Sequence, residues 1–389
     1  MKAASSQHTI PTRSWDIFCT VVDNYGDIGV CWRLARQLAR EHGLSVRLWV
    51  DRLDAFQRIA PEIDPDQDTQ RHAGVEIRRW REPFPPVAPH AVVIEAFACH
   101  LPPTFVQAMA AMPAPPLWVN LEYLSAEDWV AEHHTLASPH PTLPLVKYFY
   151  FPGFGLDTGG LLREQGLLEQ RAAFQGDPAA MARFWRKLGL PVPEDRELRL
   201  SLFAYENTAV SELLGAWAAH AEPVTCIVPE GRALPQVAAF LGRSVLAPGE
   251  SATRGALTVH ALPFLPQERY DHLLWACDFN FVRGEDSFVR AQWAARPFVW
   301  HIYPQSDEVH WTKLNAFLAI YSAQLAPDAA DALAGLWHAW NRQSGMAAAW
   351  HKALPHAHAL ATHARQWANR LGGQTDLVSG LVKFSENSL

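Results

Sequence analysis

No apolar run in this 389-residue chain approaches the length of a bilayer span, and Met1 to Ser14 lacks the charged-then-apolar order of a secretory leader. Neither a membrane span nor export is expected, and the N-terminal segment reads as a loose tail. Positive charge is not in excess: 33 Lys and Arg face 40 Asp and Glu, a formal charge of −7 that argues against a general nucleic-acid binder and leaves room only for a local basic groove. Cysteine is sparse. Cys19, Cys31, Cys99, Cys226 and Cys277 show no Cys-x-x-Cys spacing, so buried reduced thiols in a cytoplasmic protein are expected. There is no Gly-x-Ser-x-Gly elbow for a serine hydrolase and no internal repeat. Histidine is plentiful, yet His356, His358 and His363 are not completed by Cys or acidic ligands, so no metal site is expected.

What the chain does have is an alternation of strand-like and helix-like stretches. Its length and 49% hydrophobic content suffice for two cores. The organising stretch is Asp23-Asn24-Tyr25-Gly26-Asp27-Ile28-Gly29. Before it, Trp15 to Val22 is rich in β-branched and aromatic residues, as a buried strand should be. After it, a helix is predicted from about Gly29, with Val30, Leu34, Ala35 and Leu38 inward and Arg33, Arg36, Gln37 and Arg40 on the other faces. Asp27 reads either as an N-cap or as a general base. The Gly-x-x-Gly spacing lacks the third glycine of a dinucleotide fingerprint, and acids at the helix mouth repel phosphates.

Further strands are predicted at Ser45 to Val50, Val75 to Trp80, Ala91 to Cys99, Leu117 to Leu121 and Leu145 to Pro152. Glu95, inside an apolar run, must be partnered or near a ligand, and Ser125 is expected to cap a helix through His134. Composition changes between Gly153 and Glu197, where the junction is placed. A second series follows, with strands Leu198 to Tyr205, Val224 to Pro229, Leu257 to Phe264 and Phe279 to Arg283. The last of these opens into Arg283-Gly284-Glu285-Asp286-Ser287 and a helix from Phe288. A cation, a glycine, two acids and a hydroxyl at a helix start suit a charged, hydroxyl-bearing ligand such as a nucleotide sugar, with simple capping and ion pairing as the alternative. Helices are expected at Asp328 to Asn341, Met346 to Arg370 and Asp376 to Asn387. Two βα arrays point to an α/β fold of two Rossmann-like domains facing across a cleft.

Taken together, the two turns resemble the protein-arginine rhamnosyltransferases of the EarP family, which modify bacterial elongation factor P. The likeness rests on Val-Val-Asp-Asn-Tyr-Gly-Asp-Ile-Gly at 21 to 29, Asn-Leu-Glu-Tyr-Leu-Ser-Ala-Glu at 120 to 127 and Lys-Tyr-Phe-Tyr-Phe-Pro-Gly-Phe at 147 to 154. It continues in Arg-Gly-Glu-Asp-Ser-Phe-Val-Arg-Ala-Gln at 283 to 292 and His-Ile-Tyr-Pro-Gln at 301 to 305. The resemblance implies a GT-B fold and inverting, metal-independent transfer of rhamnose from dTDP-β-L-rhamnose to an arginine guanidino nitrogen. It implies an acceptor domain at residues 1–160, braced by a C-terminal helix at 372–389, and a nucleotide-sugar domain at 161–371. It assigns the catalytic acids to Asp23 and Asp27, and Glu285, an acid beside a diphosphate site, is expected to serve catalysis by contacting sugar hydroxyls or the acceptor. The donor falls to Phe203, Tyr205, Phe264, Gln267, Arg283, Gly284, Glu285, Asp286 and Ser287, with Asn24, Tyr25 and Gly26 reaching over. No cofactor, nucleic acid or membrane partner is expected. Two alternatives share the cleft: another GT-B-like nucleotide-sugar enzyme, such as a 2-epimerase or a small-molecule glycosyltransferase, and a non-catalytic nucleotide-binding module.

Overall fold

The structure, a computed structural model, describes residues 13–22, 25–305 and 308–389. The expectations for the N-terminal tail up to residue 12, and for Asp23 and Asn24, lie outside the described residues. The first half carries strands β1 (Ser14–Cys19), β2 (Ser45–Val50), β3 (Thr69–His72), β4 (Val75–Arg79), β5 (Val92–Ala96), β6 (Leu117–Leu121), β7 (Leu136–Pro139) and β8 (Val146–Tyr150). Its helices are α1 (Gly26–Glu41), α2 (Leu53–Ile59), α3 (Pro103–Ala110) and α4 (Trp129–His133). Helices α5 (Leu167–Gly176) and α6 (Pro178–Lys187) occupy the compositionally distinct stretch.

The second half alternates β9 (Leu198–Leu202), α7 (Val210–Ala218), β10 (Val224–Pro229), α8 (Leu234–Phe240), β11 (Ser251–Arg254), β12 (Leu257–Leu262), α9 (Gln267–Ala276), β13 (Phe279–Arg283), α10 (Glu285–Trp293) and β14 (Phe298–His301). Five helices close the chain: α11 (Val309–Ser322), α12 (Pro327–Arg342), α13 (Met346–Ala353), α14 (Ala357–Gly372) and α15 (Leu377–Ser388).

Two sheets result, ordered β3-β4-β2-β1-β5-β6-β8-β7 and β11-β12-β10-β9-β13-β14. Their inner pairs are parallel, while β3–β4, β7–β8 and β11–β12 are antiparallel edges. The fully buried strands are near-continuous apolar runs, as sheets covered on both faces require. In the first sheet β1 pairs with both β2 and β5; in the second, β9 pairs with both β10 and β13. Those are the points where strand order reverses, and in open α/β sheets the crevice at such a point, beyond the strands' carboxyl ends, takes the ligand. Both turns singled out in the sequence sit there. The expected pair of Rossmann-like units is observed, with α15 inserting Leu377, Val378 and Leu381 into the apolar core of the first half.

Several local expectations are corrected. Helix α1 begins at Gly26 rather than near Gly29, because the Tyr25 carbonyl already accepts from the Gly29 amide at 2.9 Å. Arg33 and Gln37 are not on an outer face; both are only 2% exposed, covered by a partner element that helical periodicity cannot reveal. Helix α10 starts at Glu285, not Phe288, because Gly284 at φ +67° breaks the strand at once and the first turn of a helix welcomes acids. Ser125 is no cap: its hydroxyl accepts from the Glu127 amide, and α4 begins only at Trp129. The helix expected from Met346 to Arg370 breaks into α13, a 3-10 turn at Leu354–His356 and α14, since Pro355 lacks an amide donor. Strands β3, β7, β11 and β14 and helix α11 were not anticipated; the first three are short, mostly exposed edges without an apolar pattern.

Candidate active site

Glu95, the acid inside an apolar strand, is partnered: it accepts from Trp118 Nε1 at 3.0 Å and from Lys147 Nζ at 3.2 Å. The acids and cations of the two turns are arranged differently.

In the first turn, Asp27 lies on the opening turn of α1 and is 2% exposed. Its Oδ2 accepts from the Val22 amide at 2.8 Å, and its Oδ1 accepts from the Tyr123 hydroxyl at 3.1 Å. It is therefore an acid held by its own loop and by the loop after β6, rather than an N-cap. The Tyr123 ring stacks on Phe97 at 4.4 Å, and Lys313 Nζ of α11 lies 5.6 Å from its centroid. Burial, then the nearby Asp27 and Glu285, push the Tyr123 hydroxyl well above its ordinary pKa, so it remains a donor.

In the second turn, Arg283 ends β13 with 5% exposure. Its guanidinium lies between two rings, 4.6 Å from Phe203 and 4.7 Å from Tyr205. Nε and Nη1 find no hydrogen-bond partner. A buried cation with idle donors is costly unless an anion completes it. The neighbouring His301 makes an edge contact with Tyr205 at 5.2 Å, and burial followed by the Arg283 charge pushes its pKa down to about 3. It is neutral at ordinary pH and adds no second cation.

Glu285 is half-buried and accepts from the Leu124 amide of the first half at 3.0 Å. Its pKa is pushed up to about 7, first by burial and further by Asp27 and Asp286, against the pull of Lys313 and the Leu124 amide. Asp286 is not free. Its Oδ1 accepts from Arg33 Nε at 2.7 Å and its Oδ2 from Gln267 Nε2 at 3.2 Å. One acid of the turn is thus neutralised by an ion pair and the other by partial protonation, which removes the electrostatic objection to an anion beside them.

Two cavities meet in the cleft. The first, about 560 Å³, is lined by Tyr25, Gly26, Phe203, Phe264, Gln267, Arg283, Gly284, Asp286 and Ser287, among others. Nine of the residues assigned to the donor thus share one space. Tyr205 does not line it but lies beneath Arg283, and Phe264 meets Tyr25 across the cleft at 4.7 Å. The second cavity, about 820 Å³, brings together Asp27 and Glu285 with Tyr123, Trp300, Tyr303, His310 and Lys313. Gly26 and Gly284 line both. Tyr123 and Tyr303 lie inside the motif blocks at 120 to 127 and 301 to 305, so their signal was present without a role attached. Lys313, His310 and Trp300 carried none. Among the described residues, no cluster of three or more His, Cys, Asp or Glu is placed to hold a metal.

Two parallel-sheet units closing a cleft, with a buried cation with idle donors at one switch point and a buried acid at the other, have the architecture of a GT-B glycosyltransferase. The spinosyn rhamnosyltransferase solved with thymidine diphosphate shares this fold, with TM-score 0.53 at 11% identity over 96% of this chain and the whole of that one (100%). Residues 15–386 match the family described as Elongation-Factor P (EF-P) rhamnosyltransferase EarP, and the chain belongs to it. The protein-arginine rhamnosyltransferase of Pseudomonas putida is 54% identical over 97% of this chain and 99% of its own length, and that of Pseudomonas aeruginosa 52% identical over 95% and 98%. A structure described as the basis for EarP-mediated arginine glycosylation of translation elongation factor EF-P superposes with TM-score 0.70 at 40% identity, covering 97% of this chain and 99% of that one.

Proposed function

We propose that this protein transfers L-rhamnose from dTDP-β-L-rhamnose to an arginine guanidino nitrogen of elongation factor P, with inversion at the anomeric carbon and without a metal. The observation that carries the reading is the junction of the two cavities: an unpaired buried Arg283 on one side, and Asp27 with Glu285 from opposite halves on the other. The donor diphosphate takes the idle Arg283 donors and the amide end of α10, and the rings of Phe203, Phe264 and Tyr25 provide an apolar floor for the base. Both groups stabilise the charge that grows on the departing dTDP, which is the work a metal would otherwise do.

The acceptor presents a harder problem. A guanidinium has a pKa of about 12.5 or above, and its delocalised lone pairs make it a poor nucleophile. Asp27 and Glu285 grip it from two sides and bias its charge toward the bound nitrogens. As the nitrogen attacks the anomeric carbon from the face opposite the phosphate, the C–O bond breaks, its electron pair leaves with dTDP, and Asp27 accepts the proton. Asp23 positions the arginine or shapes the turn. The acceptor's role in translation places the reaction in the cytoplasm, and no helix among the described residues is long and apolar enough to cross a membrane. Intact-mass analysis of elongation factor P after incubation with enzyme and dTDP-β-L-rhamnose should show one added deoxyhexose, mapped by fragmentation to an arginine. Donor consumption with unmodified elongation factor P would instead indicate a small-molecule acceptor.

A further inference from the structure

Arg33 takes no part in the chemistry above, yet it is one of the most deeply buried charges of the protein. From α1 it reaches three carboxylates of other elements: Nε to Asp286 at 2.7 Å, Nη1 to Glu164 at 3.2 Å, and Nη1 and Nη2 to Asp271 at 3.1 and 3.0 Å. Arg290 of α10 clasps two of the same acids, Asp271 through Nε and Nη2 at 3.0 and 2.7 Å, and Glu164 at 2.6 Å. Burial alone would lower the Arg33 pKa, but Asp271, Asp286 and Glu164 outweigh it and hold the guanidinium fully charged. Gln267 fastens the same seam, donating to the Gly29 carbonyl at 3.0 Å and to Asp286 at 3.2 Å. There is little slack, since a Cβ on Gly29 would come within 3.3 Å of Asp286.

Asp27 and Arg33 share α1, and Glu285 is the residue before Asp286 at the start of α10. We propose that Arg33 is a positioning residue: by tying Asp286 to α1 it sets the separation of Asp27 and Glu285 across the cleft. A planar fork with fixed donors suits this task, whereas a lysine ammonium gathers three donors at one point and cannot reproduce the four bonds that the spread guanidinium nitrogens make to three carboxylates. For its kinetic readout the proposal rests on the transfer reading above.

Two variants test it: Arg33→Lys, which keeps the charge, and Arg33→Met with Asp271→Asn, which removes one charge of each sign. Each is measured for folding, dTDP affinity, transfer kcat and KM, and the distance between spin labels introduced by Glu62→Cys and Arg243→Cys, one on each half. We expect folded proteins with a broadened inter-label distance and kcat at saturating donor down about tenfold or more, since a misplacement of about 1 Å costs on the order of a hundredfold. The dTDP affinity stays parental in Arg33→Lys, which keeps a cation beside Asp286, and weakens in the double variant, where Asp286 is left without its ion-pair partner beside the donor cavity. Parental kcat in either folded variant overturns the proposal. So does a kcat loss matched by a loss of dTDP affinity or of folded fraction with the distance unchanged, and so does failure of both variants to fold. If the parent itself transfers no rhamnose, the functional reading falls while the label distances still decide whether Arg33 sets the seam.

Discussion

The two turns share one architecture, a parallel strand running through a glycine-bearing turn into a helix at a topological switch point, and they reach opposite electrostatic ends. In the first, the strand ends without a cation and the helix mouth presents Asp27, steadied by a backbone amide and a tyrosine hydroxyl. In the second, the strand ends on Arg283, whose Nε and Nη1 are left idle between two rings, while Asp286 is taken up by an ion pair and Glu285 gives up its proton only at about pH 7. A helix N-terminus favours anions in both places. Neither helix has its first amides capped by an N-cap side chain, so what separates the two turns is whether a cation with idle donors stands behind the helix mouth.

The sharpest way to break this division is to remove one charge from each turn. Asp27→Asn retains the shape, its one carbonyl accepting from the Val22 amide while its NH2 donates to the Tyr123 hydroxyl oxygen, so transfer should fall by about a hundredfold to ten-thousandfold, the span of a general base. Steady-state rates at saturating donor check this. Arg283→Ala should act on the other side, weakening dTDP by about ten- to a hundredfold, the worth of a charge-assisted bond or two. Calorimetry reads that loss directly.

Glu285 sharpens the comparison through pH. Its carboxyl, raised from 4.5 to about 7, binds its proton more tightly in the folded chain, so its contribution to stability is intact at low pH and is lost as pH rises through about 7. Glu285→Gln removes that loss and can still accept from the Leu124 amide. Melting curves should therefore place the variant above the parent at about pH 8, with the gain gone near pH 5, while transfer falls steeply at both. The parent's kcat/KM for acceptor should decline as pH drops below about 7, where Glu285 is protonated. Tyr123→Phe is the mildest change: it removes one bond to Asp27 but keeps the stack on Phe97, so turnover should drop by about tenfold or less with the melting temperature near the parent's.

The sequence made the two turns legible because a buried parallel strand and a glycine turn are local features, and Ser45–Val50, Leu117–Leu121, Val224–Pro229 and Phe279–Arg283 match their expected bounds for the same reason. The seam was not legible. Arg33 has the spacing of a solvent-facing residue, and α9 and α10 of the other half, with Glu164 ahead of α5, make it interior. Nor was the second cavity's far wall, because Trp300, His310 and Lys313 come from β14 and α11, elements with no charge or glycine signature to mark them.

The division of labour is tested most directly by titrating dTDP, at one pH and salt, into Asp27→Asn and Arg283→Ala and following transfer to elongation factor P in the same preparations. The account predicts that Asp27→Asn binds dTDP like the parent and fails to transfer, while Arg283→Ala loses dTDP affinity. If Asp27→Asn lost dTDP as Arg283→Ala does, or if it transferred rhamnose at the parental rate, the opposed roles of the two turns would be contradicted.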